Sequence, residues 1–195
     1  SAAQMRRIID TFLELRVPTA TSGANGRVDL NLLGNAVIRQ HTHAAERKQI
    51  LLSSEWTEPL PLARCDAALA YQAFTNLTSN ALKFTPYEGT VIIRTRTTGD
   101  RVRVEMEDLG CRVIEPDDDR VRVEVQDTGP GVPVSERSQL FQEHSRLSPR
   151  PTGGEESNGL GLAIVKHLIE SQAGAVGADF PDPRGSVFWF ELPAR

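Results

Sequence analysis

Only two cysteines, Cys65 and Cys111, stand among the 195 residues of this chain, and tryptophan, tyrosine and methionine number two each. Two thiols so far apart form no metal-ligand spacing, and so few of them exclude a disulfide-built scaffold and point to a reducing compartment. A cytoplasmic location is the expectation, with any membrane anchor of a parent protein lying outside this stretch. No apolar run approaches the roughly 18 residues of a spanning helix, and the N-terminus lacks the basic and apolar layout of a signal peptide. A basic stripe is missing too. The 22 Lys and Arg against 26 Asp and Glu leave a formal net charge of -4, which argues against a nucleic-acid binder. Arg94, Arg96, Arg101 and Arg103 alternate with Val, Ile and Thr and read as the wet face of strands.

What is present suffices for one core: 39% hydrophobic and 25% charged residues suit a single domain with a small appendage. Met5, Ile8, Ile9, Phe12 and Leu15 recur at helical spacing, so residues 1–16 read as an amphipathic helix whose apolar stripe needs a partner. Residues 17–27, with Pro18, Gly23 and Gly26 among Thr, Ser and Ala, read as a linker, and the main domain is expected over 28–195. Asp29 is placed to cap a helix over Leu30 to Lys48, and Ile50 to Trp56 reads as a strand. Pro59 and Pro61 force a loop, after which Asp66 is placed to cap a helix that runs to Phe84. Strands are expected over Thr90 to Thr97, Arg101 to Glu107 and Arg120 to Gln126. Residues 128–158 hold much Gly, Pro, Ser and Glu around an apolar island at Leu140 and Phe141, and read as a mobile lid. A helix over Leu160 to Ser171 and strands over Ala175 to Phe180 and Ser186 to Leu192 close the chain. The order suits an α+β fold with helices layered on one face of a mixed sheet.

One repeat interrupts the pattern. The run from Asp100 to Gly110 is nearly copied from Asp119 to Gly129, so a strand is duplicated within 100–127 and two Asp-X-Gly turns compete for one role. Only the second continues as Asp127-Thr-Gly129-Pro-Gly131. After Asp108 the chain runs Leu-Gly-Cys-Arg, and Arg112 stands where Gly131 would, which disfavours close backbone approach to a ligand. Asp127 is therefore the expected functional carboxylate.

Three segments carry the chemistry. On the helix that ends at Phe84, Asn76 and Asn80 are four apart and Lys83 is three further on, so all three project from one face. An amide carbonyl can ligate Mg2+, which prefers hard oxygen ligands, and a lysine can meet phosphate as a point charge. A polar outer face would explain such asparagines alone, but not the segments that follow. Asp127 ends a strand that reads as buried, where a carboxylate can accept from an exocyclic amine such as that of adenine. Gly129 and Gly131 let the backbone approach a base, although a simple turn would use the same residues. Gly159 and Gly161 precede a helix whose free N–H groups and positive dipole end can hold phosphate oxygens. Their order and spacing along the chain describe one nucleotide pocket, and ATP is the expected ligand.

These segments resemble the N, G1 and G2 boxes of the sensor histidine kinase ATP-binding domain, in the GHKL (Bergerat) superfamily shared with gyrase, MutL and heat-shock chaperone ATPases. The likeness runs from Val28 to Pro193 and includes Val28-Asp-Leu, Asp66, Phe141 as the first F-box aromatic, and the run from Gly185 to Pro193. It implies a two-layer α/β sandwich with a flexible ATP lid. It also implies that Asn80 binds Mg2+, Asn76 orients phosphoryl transfer, Lys83 contacts phosphate and Phe84 borders the adenine. Asp127 would read the adenine amine beside Gly129 and Gly131, while Gly159, Leu160, Gly161 and Leu162 shape the phosphate loop.

Three departures accompany the likeness. Ser157-Asn158 stands where Gly-Thr is usual, the second F-box aromatic is replaced near His144, and the duplicated strand has no counterpart. None of His41, His43, His144 and His167 has the acidic neighbour expected of a phosphoacceptor. Residues 1–16 resemble the tail of the dimerisation hairpin, which places the acceptor histidine outside this stretch. The resemblance implies γ-phosphoryl transfer from ATP to that histidine, relay to a response regulator receiver domain, and homodimerisation through the upstream hairpin. A catalytically weak regulatory scaffold and a GHKL-type ATPase are the alternatives.

Overall fold

Two aspartates start the two long helices. Asp29, in extended conformation, accepts from the amides of Asn31 (2.8 Å) and Leu32 (3.2 Å) and opens α1, Leu30–Arg47. Asp66 does the same for Ala68 (2.8 Å) and Leu69 (3.1 Å) and opens α2, Ala67–Phe84. The structure is a computed structural model that describes residues 26–98, 103–107, 110–114, 119–142, 147–153, 159–181 and 184–194. The helix expected over 1–16, most of the linker expected before Val28, and Asp108, His144, Ser157 and Asn158 lie outside the described residues.

Five strands form the central sheet in the order β2 (Leu51–Glu55), β4 (Thr90–Thr98), β7 (Arg120–Asp127), β9 (Ser186–Pro193) and β8 (Ala175–Asp179). The β2–β4 pair is parallel and the others antiparallel, so the sheet is mixed. Alternation decides its faces. Val121, Val123 and Val125 on β7, Val91 and Ile93 on β4 and Phe190 and Leu192 on β9 are buried. They meet Leu33 and Val37 of α1, Phe74 and Leu77 of α2, and Val165 and Ile169 of α3 (Gly161–Glu170) in one core. Phe74 and Phe190 pack edge to face at 5.8 Å, tying α2 to the sheet.

The other face carries charge. Arg94 pairs with Glu55 (2.5 Å), Arg96 with Glu124 (3.0 Å) and Arg122 with Glu191 (2.6 Å), and the Arg122 guanidinium lies 4.0 Å over Trp189. Arg94 and Arg96 thus stand on the wet face of strands, as their spacing predicts. Each such pair contributes about 0.2–1 kcal/mol, so helix packing rather than this ladder holds the sheet.

The sequence reading misses short strands. β1 (Gly26–Val28) pairs with β3 (Ala63–Cys65), Gly26 opposite Cys65 and Val28 opposite Ala63. Gly26 and Arg27 therefore belong to a strand rather than to a linker, and a strand follows the Pro59–Pro61 loop. Three residues are too few to show a period, and the partners lie far apart in the chain. The buried Cys65 has its thiol pushed up to about 12 by burial and by Asp66, so it is no thiolate nucleophile.

The duplicated strand also resolves. The second copy is β7, at the centre of the sheet, whereas the first, β5 (Arg103–Glu107), pairs with β6 (Gly110–Ile114) in a hairpin of its own. Thr98 is opposite Arg120, so the hairpin is inserted between two residues that already face each other. Excising residues 100–118 would join Gly99 to Asp119 as a two-residue Gly-X turn, the II′ type that hairpins favour. The expected result is a folded chain with Tm within about 4 °C of the parent and unchanged ATP affinity. A collapse in thermal unfolding would show that the inserted hairpin supports the sheet.

Candidate nucleotide site

The apolar stripe of α2 (Phe74, Leu77, Ala81) turns toward the sheet, so Asn76, Asn80 and Lys83 stand half-buried beside it. The Asn76 amide nitrogen is buried without a hydrogen-bond partner in the structure, which is costly unless something arrives to accept from it. Gly161, the first residue of α3, sits against Asn80. A Cβ at Gly161 would stand 3.2 Å from Asn80 Nδ2 and 3.4 Å from Oδ1. Leu160 and Leu162 flank it half-buried, and no side chain caps α3, so its first N–H groups are available to an anion. Gly159 has φ +65°, left-handed, as a turn into that helix requires.

Asp127 closes the other end. It is only 3% exposed, and its Oδ1 accepts from the Gly129 amide at 2.8 Å. Burial pushes its carboxyl up to about 6, while hydrogen bonds from Gly129 and from the Ser186 hydroxyl and amide pull the other way. A Cβ at Gly129 would come within 2.9 Å of the Phe84 carbonyl oxygen. The turn after β7 therefore presses against the end of α2. Gly131 has φ +71° and faces the Gly185 carbonyl, and Thr128 is tied to β4 by the Thr90 amide (2.9 Å). Close packing at Gly129, positive φ at Gly131 and the tie at Thr128 fix the turn.

Asn80 thus meets the Gly159–Leu162 segment, and Phe84 meets the Asp127–Gly131 segment. The histidines stand elsewhere. His41 lies inside α1, its Nδ1 on Val37 O at 2.9 Å, and burial lowers its pKa. His43 is exposed beside Glu46, and His167 lies on α3. In the lid, Leu140 is buried, Phe141 is half-buried, Val134–Gln139 forms a short 3-10 turn, and Ser148 bonds to Glu136.

Two residues of the closing run were given no site role by the sequence reading. Gly185, at φ +105°, lets β9 begin with its α-carbon so close to Asp127 that a Cβ would stand 2.3 Å from the Asp127 carbonyl oxygen. Ser186, 4% exposed, holds the Asp127 carboxylate. The signal was the Gly-Ser pair ahead of an aromatic strand, but only the Asp127–Ser186 register shows what it faces.

Known proteins resemble the chain in sequence and in fold. The family described as histidine kinase-, DNA gyrase B-, and HSP90-like ATPase matches residues 65–195. The sensory/regulatory protein RpfC of Xanthomonas campestris pv. campestris is 38% identical over 138 residues, 68% of this chain and 16% of that protein. The crystal structure of full-length ShkA in complex with AMPPNP aligns with TM-score 0.65 and 31% identity over 95% of this chain and 34% of that one. Histidine kinase ThkA, solved in complex with response regulator protein TrrA, shares the fold at TM-score 0.64 and 18% identity, over 100% of this chain and 49% of that one. The chain spans less than half the length of the curated relatives it matches first. With its mixed sheet, its helical layer, its match over residues 65–195 and 32% identity over 75% of its length to 17% of the circadian input-output histidine kinase CikA of Synechococcus elongatus, the chain belongs to the histidine kinase-, DNA gyrase B- and HSP90-like ATPase family, on the sensor histidine kinase side.

Proposed function

We propose that this chain binds ATP with Mg2+ between α2, the Asp127–Gly131 turn and the start of α3, and directs the γ-phosphoryl to a histidine on a dimerisation helix. The observation that carries the reading is the buried Asp127 carboxylate, set by Gly129 and Ser186 at the bottom of the turn that meets Phe84. Its acceptor capacity suits the exocyclic amine of adenine, which guanine lacks at that position. The unpartnered Asn76 amide and the uncapped start of α3 suit an anionic ligand, and Lys83 adds a cation on the same face of α2. No cluster of three His, Cys, Asp or Glu able to hold a metal occurs among the described residues. The donor for Mg2+ is the Asn80 amide oxygen, with phosphate oxygens completing the set. When bound, the ion supplies neutralisation of charge on those oxygens.

The work of the chain is positioning. Asp127 fixes the base, the start of α3 and Lys83 hold phosphate oxygens, and Asn76 orients the group to be transferred. An amide takes up no proton, so Asn76 does not activate water as a carboxylate base would, and transfer to histidine is favoured over hydrolysis. The ThkA–TrrA complex supports relay to a response regulator receiver domain, and homodimerisation through an upstream hairpin belongs to the same proposal.

Titration calorimetry of the chain with ATP, with and without Mg2+, tests the reading. Binding strengthened by Mg2+ is the expected result. An absence of ATP binding would remove it.

A further inference from the structure

Lys48, just past the end of α1, is 7% exposed, far from the usual place of a lysine. Its Nζ donates to Leu82 O (2.7 Å), Lys83 O (3.1 Å) and Thr152 Oγ1 (2.6 Å). An ammonium carries three protons and no acceptor, so each of these contacts is a donation. Leu82 and Lys83 are in the last turn of α2, where carbonyls lack helical partners and the dipole favours a cation.

Thr152 meets one of these carbonyls, that of Lys83, from the segment 147–153. Its amide donates to Lys83 O (2.9 Å) and its hydroxyl to Thr85 O (2.7 Å) while accepting from Lys48. The Lys48 carbonyl in turn accepts from the Glu88 amide (3.2 Å), so one residue holds both sides of the turn between α2 and β4. Three pieces remote in sequence are joined here: the end of α1, the end of α2 and the segment 147–153.

We infer that Lys48 and Thr152 form a clamp that positions Lys83 toward the phosphates of the nucleotide. Lys48 is a positioning residue, since its ammonium bonds two carbonyls of α2 and the Thr152 hydroxyl and acts on the nucleotide through them. The inference rests on the reading of Lys83 as a phosphate contact. With the Lys83 carbonyl fixed by Lys48 and by the Thr152 amide, its side chain leaves the helix from one set backbone position.

The clamp reaches the phosphates through Lys83 and the base only through the neighbouring Phe84, so its loss should fall more heavily on ATP than on AMP. Thr152→Val keeps the shape and removes the hydroxyl, and Lys48→Met keeps the stem and removes the charge. Each is expected to raise the Kd for ATP about fivefold to tenfold and to leave the Kd for AMP within about twofold. The double variant should bind ATP no more weakly than the weaker single, because both changes open one clamp, and Thr152→Ser should restore parent affinity. Thermal unfolding identifies any variant that does not fold. If Lys48→Met is such a variant, the Thr152 series decides alone. Parent-like ATP affinity in folded variants, or equal losses for ATP and AMP, would overturn the clamp while leaving ATP binding by the parent in place. Failure of the parent to bind ATP would overturn the nucleotide reading itself.

Discussion

Asp127→Asn is expected to cost the chain most of its affinity for ATP while making the empty domain more stable. The asparagine keeps one oxygen for the Gly129 and Ser186 amides, and the Ser186 hydroxyl can turn to accept, so the turn survives, but its second group becomes a donor facing a ligand that needs an acceptor. Losing a charged hydrogen bond and leaving two donors face to face is worth about 1.5–3 kcal/mol, or about 10- to 100-fold in Kd. Selectivity should go with it, since a side chain that no longer reads the adenine amine cannot separate ATP from GTP. A variant that binds ATP and GTP as the parent does would refute the assignment.

The stability half follows from linkage. Asp127 has a folded value of about 6 against its usual 3.8, so between these values the folded chain holds a proton that the unfolded chain has released. Stability is therefore greatest below about pH 4 as far as this group is concerned, and it falls as pH rises through about 6. At neutral pH the ionised, buried carboxylate costs on the order of 1–3 kcal/mol. The Asp127→Asn variant carries no such charge, so its Tm should exceed that of the parent above pH 7, and the gap should close below pH 4. ATP binding by the parent should in turn weaken as pH falls below 6, when the acceptor is protonated. Opposite signs for empty-state stability and for affinity distinguish a binding residue from one needed for the fold.

Much of this site is legible in the sequence because the chemistry is local. Asn76, Asn80 and Lys83 announce themselves by spacing on one helix, and Asp29 and Asp66 mark the helix starts that fix its register. Alternation in Val121, Val123 and Val125 gives a buried strand that delivers Asp127 to its end. What the sequence hides is the partner across space. Gly185 and Ser186 touch Asp127 only because β9 lies beside β7 in one register, and no local pattern encodes that pairing. Lys48 reads as an ordinary basic residue at a helix end, yet the end it caps belongs to another helix. The β1 and β3 strands are hidden likewise, each too short to carry a period and paired across the whole length of α1. The duplicated segment shows the limit most plainly. Its two copies are close in sequence, yet only the second joins the central sheet, and they part after the shared Gly110 and Gly129, where Arg112 stands in the first and Gly131, at φ +71°, in the second.

Asn80→Ala is the second large expected loss. In the parent, Mg2+ should strengthen ATP binding, because the Asn80 amide oxygen offers a hard ligand beside the phosphates and Gly161 leaves room for it. Alanine removes that oxygen and keeps the helix, since Ala is the residue that helices favour most. The dependence on Mg2+ should then disappear, with ATP affinity in the presence of the ion falling about 100-fold and affinity in chelator changing little. A folding defect would lower both together, so the two titrations separate the causes. A Gly161→Val variant should copy part of the effect from the other side. Its Cβ would press on the Asn80 amide at 3.2 Å, and the added methyls would crowd it further and turn the oxygen away. If Asn80→Ala keeps the Mg2+ dependence of the parent, the ion is held by other groups, and Asn80 serves only to pack the start of α3 against α2.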